Sequence, residues 1–327
     1  MRSIVRLLTA VSVSLVLGIG TASAQWKPTG PVKLIVGNVA GGGADFMART
    51  FAEKASKIWG QPVVVDNRGG AGGRLGAQLT VQSKPDGYTM YFGQDAMVVW
   101  PALYTNMPFD TQKALIPAAM LTTIPLIVVV HPSVPAKTLP ELLAYAKANP
   151  NKLNYGSNGV GTSTHLSLAA MMKISGAEMQ HIPYPGTPQR LKALLQNETQ
   201  VDLGALFLNL PPVQAGTLRA LATTSAKRLP SLPDVPTVRE VSLPEVESES
   251  WNGIFLPAGT PPNIVEAVSQ TFVAAANDPE IKAIVEKQGQ FTAGMGAAEF
   301  SAYFNKEFGT WAKVASVLGV EKVDAQK

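Results

Sequence analysis

Cysteine is absent from this sequence, and histidine is rare. A chain without cysteine has no disulfide, no thiolate metal ligand, no cysteine nucleophile and no cysteine-linked lipid anchor. The three histidines, His131, His165 and His181, are spaced too widely for the His-x-x-x-His pattern of zinc enzymes. We therefore expect no metal site, no cofactor and no catalytic residues built on those side chains.

Charge is also scarce. Charged side chains make up 15% of the 327 residues, against about 25% in an average soluble protein, while 46% of the residues are apolar. That balance excludes intrinsic disorder, and the length predicts about two domains. The formal net charge of +4 is too small for a nucleic-acid footprint, so no nucleic-acid partner is expected.

Residues 1–24 have the pattern of a secretory signal peptide. Arg2 and Arg6 give a basic start, an apolar run covers 7–18, and Ala22-Ser23-Ala24 is a typical cleavage site. The run is short for a membrane span, although an uncleaved N-terminal anchor is the alternative. We expect export to the periplasm as a free protein, because no cysteine is present to carry a lipid. Export also argues against ATP or NAD as cofactors.

Glycine and proline are abundant, with 29 and 25 residues, and several glycines cluster where a predicted strand meets a predicted helix. The alternation of β-branched runs with helical patterns predicts an α/β fold with parallel-rich sheets. The stripe through Phe300, Phe304 and Trp311 is typical of a core-facing helix. We predict strands at 32–36, 62–65, 89–92, 126–130, 153–155, 201–207 and 251–256, and helices at 44–59, 75–83, 140–148, 163–174, 188–196, 262–276 and 300–318.

The first glycine cluster, residues 37–45, lies between the first strand and the first helix. Unpaired N–H groups and the positive end of the helix dipole favour an anion at such a position. Phe46 stands where a dinucleotide site would have a third glycine, and no Gly-Lys-Ser/Thr follows. A tight structural turn is the alternative, with Asp45 favouring the helix start electrostatically.

Two further clusters follow the second and fifth predicted strands. Residues 67–76 contain Arg68 and Arg74, which could grip a carboxylate, although a structural loop is the favoured interpretation. Residues 155–165 place several hydroxyl groups at a helix start, where they cap the helix or bind an anion. The Gly-x-Ser-x-Gly pattern of serine hydrolases fails there, yet a secreted hydrolase stays open as the rival function.

Smaller candidates are Gln94-Asp95 after a strand, Tyr184-Pro185-Gly186-Thr187 before a helix and Asp202 in a strand. For each of them alone, a structural role is the favoured interpretation. Trp100 and Trp251 either contact an aromatic ligand or pack in the core, and core packing is the favoured interpretation.

The clusters belong to a longer ordered set of motifs. The set is Gly41-Gly42-Gly43-Ala44-Asp45, Asn67-Arg68-Gly69-Gly70-Ala71-Gly72-Gly73, Pro85-Asp86-Gly87-Tyr88-Thr89, Leu153-Asn154-Tyr155-Gly156-Ser157, His181-Ile182-Pro183-Tyr184, Leu232-Pro233-Asp234-Val235-Pro236-Thr237 and Pro257-Ala258-Gly259-Thr260-Pro261. In this order the set resembles the tripartite tricarboxylate transporter substrate-binding proteins of the Bug type. The resemblance covers essentially the whole mature chain.

The resemblance implies an α/β periplasmic binding protein fold, type II-like, with two lobes and two hinge crossings. Each lobe is a mixed sheet flanked by helices. Residues 25–124 and 251–327 would form lobe 1, and residues 125–250 would form lobe 2. The two crossings are expected at 124–130 and 251–256.

The resemblance further implies a non-enzymatic solute-binding protein that closes on a small mono- or dicarboxylate and delivers it to the membrane subunits of a tripartite transporter. Loops 38–45 and 157–163 would hold the ligand. The glycines and small residues at 37–40 depart from the family habit, so an aromatic acid is also a candidate. A monomer is expected, and a ligand sensor for a receptor kinase is a second alternative. The expected ligand contacts are Asn38, Val39, Gly42, Gly43, Ala44, Asp45, Asp95, Ser157, Gly161, Thr162, Ser163 and Tyr184.

Overall fold

The β-branched runs of the sequence become the strands of two sheets. The computed structural model describes residues 26–159, 162–184, 187–319 and 321–325, so the predicted signal peptide and Gly161 lie outside the described residues. The strands are β1 (Val32–Val36), β2 (Val63–Asn67), β3 (Thr89–Gln94), β4 (Tyr104–Thr105), β5 (Leu115–Ile124), β6 (Leu126–Val130), β7 (Asn154–Ser157), β8 (Gln180–Pro183), β9 (Val201–Ala205), β10 (Arg219–Thr223), β11 (Ser250–Pro257), β12 (Phe291–Met295) and β13 (Val323–Asp324).

The helical patterns become the helices that cover these sheets. They are α1 (Gly43–Trp59), α2 (Arg74–Val81), α3 (Ala96–Leu103), α4 (Thr111–Ala114), α5 (Leu139–Ala148), α6 (Ser163–Ser175), α7 (Thr187–Leu195), α8 (Leu206–Gln214), α9 (Pro262–Asn277), α10 (Pro279–Lys287) and α11 (Ala297–Leu318), with 3₁₀ turns at Ala71–Gly73 and Pro244–Val246. Among the described residues, every helix is too short or too polar to span a bilayer.

Both main sheets are mixed. The larger one has the strand order β12-β5-β11-β3-β1-β2, with β1 parallel to β2 and β3 and with β11 antiparallel to β3 and β5. The smaller one has the order β10-β6-β9-β7-β8, with β7 parallel to β8 and β9 and with β6 antiparallel to β9 and β10. The alternation of strands and helices predicted parallel-rich sheets, which is wrong because β5, β6, β10, β11 and β12 pair in antiparallel fashion. Both sheets are mixed, as the family resemblance implies.

The chain passes from the larger sheet to the smaller one at a single residue. Strand β5 ends at Ile124 and β6 begins at Leu126, with Pro125 between them. After β10, an irregular proline-containing stretch leads back to β11, which begins at Ser250 in the larger sheet. We call the larger sheet with its covering helices the larger unit, and the smaller sheet with its covering helices the smaller unit. Helix α11 contacts α3 and β5 of the larger unit as well as α6 of the smaller unit. The long C-terminal helix therefore packs against both units.

Alternation along β1 separates two hydrophobic cores on the faces of the larger sheet. Leu34 and Val36 point into one core with α1 and α9, while Ile35 points into the other core with α2, α3 and α11. The predicted stripe on α11 is confirmed as core, since Phe300, Phe304 and Trp311 are buried. The second core continues into the smaller sheet through residues such as Val128.

Two expectations about these elements are wrong. In the helix predicted over 44–59, Phe46 belongs to the apolar pattern expected to face the core, but it is 44% exposed, because it lies about 140° around the helix from Phe51. The strand expected over 201–207 ends at Ala205, where α8 begins. Because Pro211 and Pro212 disfavour a helix interior, the sequence pattern did not predict α8.

Candidate ligand-binding cleft

A cleft of about 520 Å³ lies between the two sheets, beyond the carboxyl ends of β1, β3, β7 and β9. In open α/β sheets, ligands bind outside the carboxyl ends of the strands, because the loops there present helix starts and free backbone groups. The residues that line the cleft include Asn38, Gly43, Ala44, Arg74, Gln94, Asp95, Trp100, Tyr104, Asn158, Thr162, Ser163, Thr187, Arg190, Ser250, Asn252 and Gln290.

The β1–α1 loop brings Asn38, Gly43 and Ala44 to the cleft wall. Helix α1 begins at Gly43, and its N-cap residue Gly42 makes no side-chain capping hydrogen bond. The first amides of a helix have no partner within the helix, so an exposed and uncapped start offers them to a ligand. A β-carbon added at Gly43 would meet no atom within 4 Å, which shows how open the approach is.

Asp45 is buried beside this loop rather than in the cleft lining. Its Oδ2 accepts hydrogen bonds from the Gly41 amide at 2.9 Å and from Arg49 Nε at 3.1 Å. Arg49 also donates to Asn67, and Asn67 donates to the Asn38 carbonyl. The hydrogen bond from Arg49 lowers the pKa of Asp45 and outweighs the effect of burial. Asp45 therefore braces the loop as an ionised carboxylate.

The β7–α6 loop brings Thr162 and Ser163 to the opposite wall. Thr162 caps α6, because its side chain accepts a hydrogen bond from the His165 amide at 3.4 Å. Ser163 Oγ donates to Asp95 Oδ2 at 3.0 Å, and so links α6 to the end of β3 in the other unit. The two glycine-containing helix starts singled out in the sequence thus line one cleft.

Asp95 lies where the two units meet. Its carboxylate accepts one hydrogen bond from Ser163 and another from Ser250 Oγ at 2.9 Å. Burial raises the pKa of Asp95, and these hydroxyl donors act in the opposite direction. The sequence predicted Asp95 as a ligand contact, and the structure places it in the cleft lining with both carboxylate oxygens bound to serines.

The floor of the cleft in the larger sheet is a buried amide network. Gln94 Nε2 donates to Asn252 Oδ1 at 3.3 Å, and Asn252 Nδ2 donates to Thr122 Oγ1 at 2.8 Å. Gln290 Oε1 accepts from Thr122 at 2.7 Å and from Asn252 at 3.2 Å. These residues come from β3, β5, β11 and the start of β12, and no local sequence pattern joins them.

Aromatic side chains form the side wall. Trp100 is buried, lines the cleft and meets Phe109 edge to face. Arg74 lies over the ring of Tyr104, with its Cζ atom 3.8 Å from the ring centroid. Trp251 instead packs against Phe300 in the core, as the favoured interpretation of that residue held.

The second glycine cluster packs against the first. Tyr91 donates to the Gly73 carbonyl at 3.1 Å, and a β-carbon at Gly37 would lie 2.8 Å from the Gly73 Cα atom. The glycines of 69–76 therefore allow two loops to touch, which supports the structural interpretation of that cluster. Arg68 pairs with Asp66 at 2.9 Å and lies outside the cleft lining, whereas Arg74 is part of it.

A serine and a histidine do meet, but away from the cleft. Ser157 Oγ lies 2.6 Å from His181 Nε2, and Ser157 is fully buried. His181 stacks on Tyr155 and on His165, and burial lowers the pKa of His165 to about 4. Of the described residues that line the cleft, none is a histidine. These side chains pack together at the start of α6, and neither Ser157 nor His181 lines the cleft.

Several predicted contacts thus lie outside the cleft lining. Val39 is 75% exposed and Gly42 is exposed, both on the outer side of the first loop. Asp45 and Ser157 are buried behind the two loops, and Tyr184 packs beside Gly156. Sequence reasoning named Gln94 only as a minor candidate and missed Asn252, Gln290 and Arg190, which reach the cleft from separate elements. Arg190 shares its short helix with Lys192, so the local sequence did not single it out.

Within the described ranges, no group of three or more acidic and histidine side chains converges so that it could hold a metal ion.

The profile of the family described as "Tripartite tricarboxylate transporter family receptor" matches residues 47–319. This chain belongs to that family. Among curated relatives of the receptor, protein BugT of Bordetella pertussis is 30% identical over 301 residues, covering 91% of this chain and 92% of BugT.

Solved structures agree with this membership. The periplasmic binding protein BugD superposes with a TM-score of 0.74 at 29% identity, covering 90% of this chain and 100% of BugD. R. palustris Rpa4515 with adipate has a TM-score of 0.76 at 30% identity, with 90% and 99% covered. MatC from Rhodopseudomonas palustris with bound malate has a TM-score of 0.73 at 26% identity, with 88% and 99% covered.

Family membership confirms three expectations from the sequence: the recognised family, the α/β two-lobed binding-protein fold and the role of a solute-binding receptor. The family consists of receptors rather than enzymes, which decides against the rival hydrolase.

Proposed function

We propose that this receptor captures a small carboxylate in its cleft and delivers it to the membrane subunits of a tripartite transporter. The observation that carries the proposal is the pair of helix starts, Gly43 on α1 and Ser163 on α6, which line the same cleft from different units. The uncapped amides at the start of α1 and the positive dipole ends of both helices would stabilise a bound carboxylate.

Structures of similar proteins support a carboxylate. The Rpa4515 structure holds adipate and the MatC structure holds malate, and both ligands are small dicarboxylates. The cleft volume of about 520 Å³ leaves room for an acid of that size and for water.

We assign the direct contacts to Asn38, Gly43, Ala44, Thr162 and Ser163, since these predicted residues line the cleft. Asp95 would act between the units rather than on the anion, because its oxygens accept from Ser163 and Ser250. Of the remaining predicted residues, Val39, Gly42, Asp45 and Ser157 would shape the two loops, and Tyr184 would pack beside Gly156.

The proposal includes a hinge. Residues 25–124 and 251–327 would move as lobe 1 against residues 125–250 as lobe 2, with one crossing at Pro125 and the other just before β11. Both lobes contribute contacts to the ligand, so the closed form alone would make all of them, and the ligand shifts the equilibrium toward closure.

The place of action would be the periplasm, reached through the predicted signal peptide, and the receptor would act there as an unanchored monomer. The transporter's membrane subunits would bind the closed form.

Isothermal titration of the mature protein with short carboxylates and with the matching neutral amides tests the proposal. Acids should bind, and the amides should bind at least tenfold more weakly, since a hydrogen bond to a charged group contributes about 1.5–3 kcal/mol. Binding of the amides as tight as that of the acids, or no binding of any acid, would overturn it.

The Gly43→Val variant places a side chain over the α1 start. We expect it to weaken acid binding about tenfold or more, because the added methyl groups block the amides. Gly30→Val is the matched control, since a β-carbon there also meets no atom within 4 Å and the position lies outside the cleft lining. Equal affinities in the two variants would remove Gly43 from the site.

A further inference from the structure

Arg190 is a buried cation in the wall of the cleft. It lies in the first half of α7, has 2% of its surface exposed and lines the cavity. Its aliphatic stem crosses Gly156 of β7, where a β-carbon would lie 2.9 Å from Arg190 Cγ. Any larger residue at 156 would displace the stem, so the chain keeps a passage open for this side chain.

The guanidinium group reaches a second glycine. A β-carbon at Gly204 would lie 3.3 Å from Arg190 Nη2 and 2.8 Å from Asp202 Oδ2. Asp202 is 1% exposed, and its Oδ1 lies 3.2 Å from Arg190 Nε. Gly204 pairs with Ile127, next to Leu126 and Ala205, which themselves line the cleft. The ion pair therefore lies directly beneath the cleft wall.

The pair leaves donor capacity unused. Arg190 Nη1 is buried and makes no hydrogen bond within the part of the chain that the structure describes, and Nε lies 3.2 Å from Asp202 Oδ1 without the alignment of a hydrogen bond. A guanidinium has five N–H donors, and leaving them unsatisfied in a buried position is unfavourable. Burial raises the pKa of Asp202 to about 6 although Arg190 acts in the opposite direction. Both carboxylate oxygens of Asp202 are also buried without an aligned hydrogen bond among the described residues, so the ion pair leaves the Nη1 donor of Arg190 unsatisfied.

The charges that line the cleft are mainly positive. Arg74 and Arg190 both line it, and Asp95 already accepts two serine hydroxyls. Arg74 is partly exposed and stacked on Tyr104, whereas Arg190 is buried with unused donors. A planar guanidinium binds a carboxylate through two parallel hydrogen bonds, which makes Arg190 the better-suited of the two for a second anion.

We propose that Arg190 recognises a second carboxylate of the ligand, so that the cleft selects dicarboxylates over monocarboxylates of equal chain length. This inference rests on the proposed function, in which the first carboxylate lies at the starts of α1 and α6. The unused donors of Arg190 then complete their hydrogen bonds when the dicarboxylate binds.

The test compares matched acids by titration calorimetry: succinate with butanoate, glutarate with pentanoate, and adipate with hexanoate. The wild-type protein should prefer the best dicarboxylate over its partner by about tenfold or more. The double variant Arg190→Gln/Asp202→Asn leaves no lone buried charge, and it should lose that preference while monocarboxylate affinity stays within about twofold. Arg68→Gln, which removes an exposed arginine outside the cleft, should retain the wild-type preference.

A second variant guards against misfolding. Arg190→Lys keeps the cation but loses the planar fork, so the dicarboxylate preference should fall several-fold while circular dichroism stays native. An unchanged preference in either folded variant, or an equal loss for both acids of a pair, would overturn the role of Arg190. If no acid binds even the wild-type protein, the proposed function itself fails, and that result is distinct from either of these.

Discussion

At the scale of single residues, the most perturbed groups lie behind the cleft, where α11 meets the smaller unit. Glu307 is 4% exposed, and its Oε2 makes no hydrogen bond within the described residues. Burial raises the pKa of Glu307 to about 7, and the negative charge of Asp95 adds to the effect. Glu249 has a raised pKa for the same principal reason. Glu307 of the folded protein therefore titrates near neutral pH.

The sign of the resulting pH dependence follows from linkage. An acid whose pKa is raised on folding stabilises the native state below its ordinary pKa of 4.5 and loses that contribution as the pH rises through about 7. Glu307→Gln removes the titration, so the variant should become more stable than the wild type as the pH rises from 5 to 8, by about 1–3 kcal/mol.

Urea unfolding at several pH values measures this difference. Glu286→Gln on α10 is the control, because Glu286 is exposed and its replacement should leave the pH profile unchanged. Parallel stability profiles for the wild type and Glu307→Gln would contradict the assigned pKa direction.

At the scale of elements, most strands and helices could be predicted from local patterns. Strands β1 and β6 were predicted with their exact bounds because each is a short β-branched run. Helix α5 was predicted at 140–148, and the Thr138 side chain caps it by accepting a hydrogen bond from the Glu141 amide. Helix α3 and strand β12 were missed, because α3 contains Pro101 and β12, with the sequence Phe-Thr-Ala-Gly-Met, has no β-branched run.

Two glycines on different elements should respond oppositely to alanine. Gly93 of β3 has Phe255 Cε2 2.6 Å from the position of an added β-carbon, so Gly93→Ala should destabilise the protein by about 1–3 kcal/mol through overpacking. Gly309 is exposed within α11, where an added β-carbon meets nothing within 4 Å. Gly309→Ala should stabilise it by about 0.5–1 kcal/mol through helix propensity.

Thermal or urea unfolding of the two variants under one condition checks both signs at once. A destabilising Gly309→Ala would show that the exposed face of α11 is covered by another surface in solution.

At the scale of the whole molecule, ligand binding should raise the unfolding temperature, because the cleft exists in the folded state alone. At a ligand concentration of about 100 times Kd the stabilisation is about 2.7 kcal/mol. For a chain of 327 residues this corresponds to a rise of about 4 °C in Tm. Differential scanning fluorimetry across a dilution series of the best-binding acid measures it. A Tm that stays constant to 100 times the calorimetric Kd would show that the acid binds the unfolded chain equally well.

The candidate site could be predicted in part. Asn38, Gly43, Ala44, Thr162 and Ser163 were found because each belongs to a loop between a strand and the next helix. Adjacency along the chain carries that information. Asn252, Gln290 and Arg190 were missed because they meet the cleft across sequence separations that no motif spans.

The sequence by itself determined the class of this protein. Its missing cysteine, few charges and ordered glycine motifs point to a receptor with backbone amides and hydroxyls at two helix starts. Those features are local, so the sequence displays them directly. The tertiary structure alone decided that Asp45 braces its own loop, that Asp95 joins two units through serines, and that Arg190 lies beneath the cleft wall. Each depends on which distant groups share a buried space, and burial is a property of the assembled fold.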